Sequence, residues 1–131
     1  MTHHAEGAFE VKLQPLTADN ADWGGLGRFG LDKRFTGALE GTSRGQMLSS
    51  GDPRSGAAGY VAIETVTGAL DGRRGSFALQ HTGAMEAGRS AMTITVVPGS
   101  GTGELQGLAG TFQILMEGGA HHYVFDYTLP G

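Results

Sequence analysis

Polar and apolar residues alternate along most of this chain. Phe9, Val11 and Leu13 are separated by Glu10, Lys12 and Gln14, the two-residue period of a half-buried strand. Pro15 closes that run, since proline donates no ladder hydrogen bond. Thr17 to Gly25 reads as a loop, with turn chemistry in Asp19, Asn20, Asp22 and Gly24-Gly25. Strands are predicted over Leu26 to Phe35 and from Gly37 through Leu39 and Gly41 towards Met47 and Leu48. Ser49 to Gly59 reads as a turn or loop. Tyr60 to Thr67, with two valines, an isoleucine and two threonines, is the strongest strand by propensity. Asp71-Gly72 is a hairpin signal, after which Gly75 to Thr82 returns through Phe77 and Leu79. Met85 to Arg89 is a short turn, and Ala91 to Val97 is a strand ended by Pro98. Gly99 to Gly103 is a glycine loop, and Glu104 to Ala109 forms one helical turn. Gly110 to Glu117 and His121 to Leu129 are closing strands joined at Gly118-Gly119. No long stretch carries the 3.6-residue helical period.

Eight strands with short connections make an antiparallel meander, and a meander leaves two unpaired edges unless it closes. The expected fold is therefore all-β: an eight-stranded antiparallel closed up-and-down barrel, one domain over residues 1–131. A barrel of this size is filled by its own side chains or holds one small ligand. The Tyr60 strand is apolar on both faces: Val61 and Ile63 on one, Tyr60, Ala62 and Val66 on the other. Two apolar faces imply that part of the outside is covered as well, which points to a homo-oligomer.

Composition sharpens this picture in three ways. Glycine supplies 24 of 131 residues, far above an average near ~7 %, which works against helices and suits turns, bulges and curved sheets. There is no cysteine, so disulfides and thiolate chemistry are excluded. The net charge of −4 comes from scattered charges, with basic pairs only at Lys33-Arg34 and Arg73-Arg74, so nucleic acid is not an expected partner. No apolar run reaches the ~20 residues of a membrane helix, and no membrane partner is expected. Met1 to Gly7 lacks a basic segment followed by an apolar one, so no secretory leader and a cytoplasmic location are expected.

Three literal motifs fail their context. Gly41-Thr42-Ser43-Arg44-Gly45 matches the nucleophile elbow G-x-S-x-G, but that motif needs a helix after the turn, and here it lies within an alternating strand. Gly99 to Gly103 lacks the Lys-Ser/Thr ending of a phosphate-binding loop. Adjacent His121 and His122 point to opposite faces of one strand, while His3 and His4 lie near the chain end, so neither a metal nor any other cofactor is expected.

Glu64 and His81 are the more informative pair. Glu64 shares a face with Tyr60, Ala62 and Val66, and His81 shares one with Phe77 and Leu79. Counted from Asp71-Gly72 they come close diagonally across the hairpin. A carboxylate holding an imidazole in a semi-apolar cavity is an acid–base pair, and the bland alternative is a buried polar pair that satisfies itself. If the pair lines a cavity, Tyr60, Phe77, Phe125 and Tyr127 are candidates for its wall. Trp23, in the first long loop, either caps a barrel mouth or plugs it. Lys33 and Arg34 alternate faces, so one of them points inward.

Three stretches resemble a family of bacterial proteins of unknown function in the allene oxide cyclase-like barrel group: Tyr60 to Glu64, Gly68 to Gly83 and Val96 to Gly110. The resemblance covers almost the whole chain. It implies an eight-stranded barrel related to allene oxide cyclase and dirigent proteins, and it implies no activity. The function expected first is binding of a small, mostly apolar molecule in the barrel interior. The alternatives are a cofactor-free isomerase or cyclase using Glu64 and His81, and a structural oligomerisation module with a packed barrel.

Overall fold

A computed structural model of the chain describes residues 2–16 and 26–130, apart from the side chain of Pro53. Eight antiparallel strands follow one another around a closed barrel. They are β1 (His3–Pro15), β2 (Gly27–Gly37), β3 (Leu39–Asp52), β4 (Ala57–Leu70), β5 (Arg73–Glu86), β6 (Arg89–Val96), β7 (Ala109–Glu117) and β8 (Ala120–Thr128). Short 3-10 turns occupy Pro53–Ser55 and Gly103–Leu105. No helix among the described residues is long and apolar enough to cross a membrane.

Closure comes from β1, which pairs with β2 from Gly7↔Gly37 to Pro15↔Phe29 and with β8 from His3↔Tyr127 to Phe9↔His121. The strand therefore begins six residues before Phe9. Ser49 to Gly59 is also mostly strand: β3 and β4 stay paired up to Asp52↔Ala57, leaving only residues 53–56 as the turn. Likewise β5 and β6 pair up to Glu86↔Arg89, so that hairpin turns over Ala87 and Gly88, both at positive φ. In the first two cases, small inward residues such as Ala5, Gly7, Ser49 and Gly51 carry no periodic hydrophobic signal.

The two ends of the barrel differ. One end holds the β2–β3 and β4–β5 turns and the long connection 97–108. It is filled by Phe35, Leu39, Leu70, Phe77, Phe112, Tyr123, Phe125 and Tyr127, and Leu105 and Leu108 of the connection are buried with them. The rings pack at centroid distances of 5.3 Å (Phe112–Tyr123), 5.4 Å (Phe125–Tyr127) and 5.8 Å (Phe77–Phe125), the spacing of favourable aromatic pairs. The Tyr123 hydroxyl fastens the β2–β3 turn from inside, accepting from the Leu39 N–H at 2.9 Å and facing the Thr36 carbonyl at 2.9 Å. Tyr127 is bonded to Asp71 at the neighbouring turn. Burial and this bond to a carboxylate push its phenol up to about 12.

The seam between β6 and β7 is the weak one. Thr95↔Thr111 is its single register pair. The connection below it is tied to β5 instead: Ser76 N–H donates to Thr102 Oγ1 at 3.0 Å, and Ala78 N–H to Ser100 Oγ at 3.0 Å.

Candidate functional site

Above the aromatic layer the inward positions turn polar. Ser43 on β3, Glu64 on β4, His81 on β5 and Lys33 on β2 are all buried. The register explains the meeting of Glu64 and His81: Glu64 lies opposite Leu79 and His81 opposite Ala62, so the two are diagonal neighbours on the inner face. His81 Nε2 is 2.6 Å from Glu64 Oε2. Lys33 Nζ donates to the same oxygen at 2.8 Å, and Ser43 Oγ donates to Oε1 at 2.7 Å. Lys33 Nζ also stands 5.2 Å above the Phe9 ring, within cation–π range.

Burial alone would raise the Glu64 pKa. The His81 hydrogen bond and the Lys33 ammonium outweigh that and lower it to about 2. Glu64 is thus an anion and can only accept, so Nε2 of His81 carries the proton between them. No buried side-chain nitrogen or oxygen among the described residues lacks a partner. Glu64 is 0 % exposed and has both oxygens occupied. It orients His81, and its other hydrogen bonds go to Lys33 and Ser43. The carboxylate of Glu64 is balanced by Lys33, so the cluster is electrically neutral when the imidazole is neutral.

Close backbone approach is built in around this cluster. A Cβ on Gly45 would collide with the Ile63 carbonyl and with Glu64, so the second glycine of the G-x-S-x-G match lets β3 lie against β4 where Ser43 reaches the carboxylate. A Cβ on Gly83 would strike the Tyr60 ring. Without one, that ring lies over Gly83, its centroid 6.4 Å from that of His81. Burial, and then the Glu64 charge, raise the Tyr60 pKa, so its hydroxyl stays protonated.

Beyond this cluster the described residues leave the barrel end open. Leu13, Met92 and Met116 share the inward face of their strands, yet are 54 %, 48 % and 62 % exposed. Met47 and Met85 join them as half-buried inward residues. His121, also inward, is tilted against Phe9 at 5.0 Å.

The residues singled out in the sequence divide between the two ends. Glu64, His81 and Tyr60 come together below the open mouth. Phe77, Phe125 and Tyr127 pack the closed end and do not wall that mouth, because the rings of Phe35, Phe112 and Tyr123 fill the space around them. Trp23 lies outside the described residues. Of the Lys33–Arg34 pair it is Lys33 that points inward. Sequence reasoning missed the roles of Ser43 and the methionines. Their alternation in register with buried neighbours was the available signal.

The likeness to known proteins covers the same chain. Residues 5–127 match a family model described as "Protein of unknown function (DUF3224)". This chain belongs to the DUF3224 family. A crystal structure of a DUF3224 protein with unknown function from Shewanella oneidensis MR-1 is similar throughout. It shares 48 % identity over 100 % of this chain and 99 % of that one, with a TM-score of 0.92. No curated protein matches the chain. DUF3224 membership thus comes with a barrel and no stated activity.

Proposed function

We propose that this DUF3224 barrel binds a small, mostly apolar molecule at its open mouth, acting in the cytoplasm. One observation carries the reading: Leu13, Met92 and Met116 face inward and remain about half exposed or more. Inward apolar side chains that none of the described residues buries form a concave, flexible surface, and methionine adapts to ligands of varied shape. The polar cluster beneath gives that surface a floor. As part of the same reading we place the barrel with the allene oxide cyclase and dirigent barrels, on strand number and up-and-down order.

The test uses the uncharged, solvatochromic dye N-phenyl-1-naphthylamine. The expected result is saturable, blue-shifted fluorescence with one dye per chain, weakened at least tenfold by Met92→Lys and unaffected by Arg44→Lys on the outer wall. Absence of saturable binding, or equal binding by Met92→Lys, removes the reading.

A further inference from the structure

We propose that Nδ1 of His81 is the polar anchor of the mouth, and that the ligand it selects is an apolar molecule carrying a neutral, hydrogen-bond-donating hydroxyl. This rests on the mouth as a binding site and adds the chemical class of the ligand.

Four observations converge on it. Nε2 of His81 is committed to Glu64 at 2.6 Å, which fixes the ring plane. The other ring nitrogen has no hydrogen-bond partner among the described residues, and no buried polar side-chain atom among them is left without one. Nδ1 therefore belongs to the 4 % of the side chain that meets accessible space. In a neutral ring whose Nε2 carries the hydrogen, Nδ1 is an acceptor, so its complement is a donor.

The second group at the floor is the hydroxyl of half-buried Tyr60, whose ring borders that of His81. It can donate to the oxygen of a hydroxyl that is itself donating to Nδ1. A hydroxyl satisfies both groups at once, whereas an ether or carbonyl leaves Nδ1 unpaired. An acceptor that a ligand covers and leaves unpaired costs more than a hydrogen bond gains, which is how a site built for a hydroxyl rejects its analogue. The charge balance favours a neutral ligand over an anion. Lys33 is already spent on Glu64 at 2.8 Å, and the field of that carboxylate reaches Tyr60.

Two isosteric probes test this on the wild-type chain: 2-naphthol and 2-methoxynaphthalene. Calorimetric titration is expected to give at least tenfold tighter binding of the naphthol. In protein carrying 15N-labelled histidine, naphthol should shift the Nδ1 resonance of His81 far more than its Nε2 resonance. His81→Gln should bring the two affinities within twofold of each other. Equal affinity of both probes for the wild type overturns the hydroxyl assignment and leaves the apolar mouth standing. Binding of neither probe overturns both. A shift confined to His121 also overturns the assignment, since the ligand would then sit on the wrong histidine.

Discussion

Glu64 is the residue on which the inner cluster depends. It is fully buried and accepts from Lys33, Ser43 and His81. A buried charge loses several kcal/mol when its counter-ion is removed. Lys33→Met is therefore expected to destabilise the fold by about 3–5 kcal/mol in urea denaturation. Lys33→Met combined with Glu64→Gln should recover much of that, because the second change removes the stranded charge. Strictly additive costs would show that the pair is not coupled. The pH dependence follows from the same group. Its folded pKa of about 2 lies below the ordinary 4.5, so between those values the unfolded chain binds more protons. The stabilisation is fully present above pH 4.5 and drains away as pH falls towards 2, in total on the order of 3 kcal/mol. Denaturation midpoints at pH 7, 4 and 3 should fall more steeply for the wild type than for Glu64→Gln, and parallel curves would refute the assignment. The diagonal placement of Glu64 and His81 was legible from counting residues out of the Asp71-Gly72 turn. The Lys33 contact was not. It comes from β2, across β3 from Glu64, and only barrel curvature brings the two side chains together.

At the scale of strands, period two was readable wherever large side chains faced inward. It failed over His3 to Ala8 and over Ser49 to Gly59. There the inward residues after His3 are alanine, glycine and serine, and the partner strand rather than local hydrophobicity defines the element. The glycines mark close approaches between strands: Gly45 against Ile63 and Glu64 was visible only as one end of a failed G-x-S-x-G match. The sequence held no sign of the β6–β7 seam, which is set by the tether of residues 100–102 to β5. That seam has a consequence for exchange. β6 above Thr95 is paired on the β5 side, and β7 above Thr111 on the β8 side. In a strand paired on one side, every second amide points away from a partner. Hydrogen exchange followed by NMR should show alternating protection over 90–93 and 113–116. In β4, which is paired with both β3 and β5, protection should be continuous. Continuous protection across the seam, equal to that of β4, would mean that the strands are zipped in solution.

For the whole molecule, closure could be argued from the cost of open edges. What closure encloses could not. Phe77, Phe125 and Tyr127 looked like the same kind of residue as Tyr60 in the sequence, and the barrel sends them to opposite ends. Three bulky rings are buried where the connection 97–108 folds under them, whereas the described turns at the other end, 53–56, 87–88 and 118–119, bring no such cover. The outer surface is asymmetric too. Leu48, Val61 and Ile63 stand exposed on β3 and β4, with Leu48 directly opposite Val61. Together with Arg28, Arg44 and Gln46 they line a groove of about 720 Å³, to whose lining Ala62 and His81 also contribute. Adjacent exposed aliphatics on a two-strand surface are the kind of patch a second subunit covers, and a two-fold pairing would set each copy's Val61 and Ile63 against the other's. The expected outcome is a homodimer through this face. Sedimentation equilibrium should return about twice the 13.6 kDa of one chain, and Ile63→Lys should return the single-chain mass with the circular dichroism of the barrel unchanged. The same substitution leaves the inner face untouched, so dye binding at the mouth should survive in the monomer. A wild type that stays at the single-chain mass up to millimolar concentration would show that this patch has no self-complementary role.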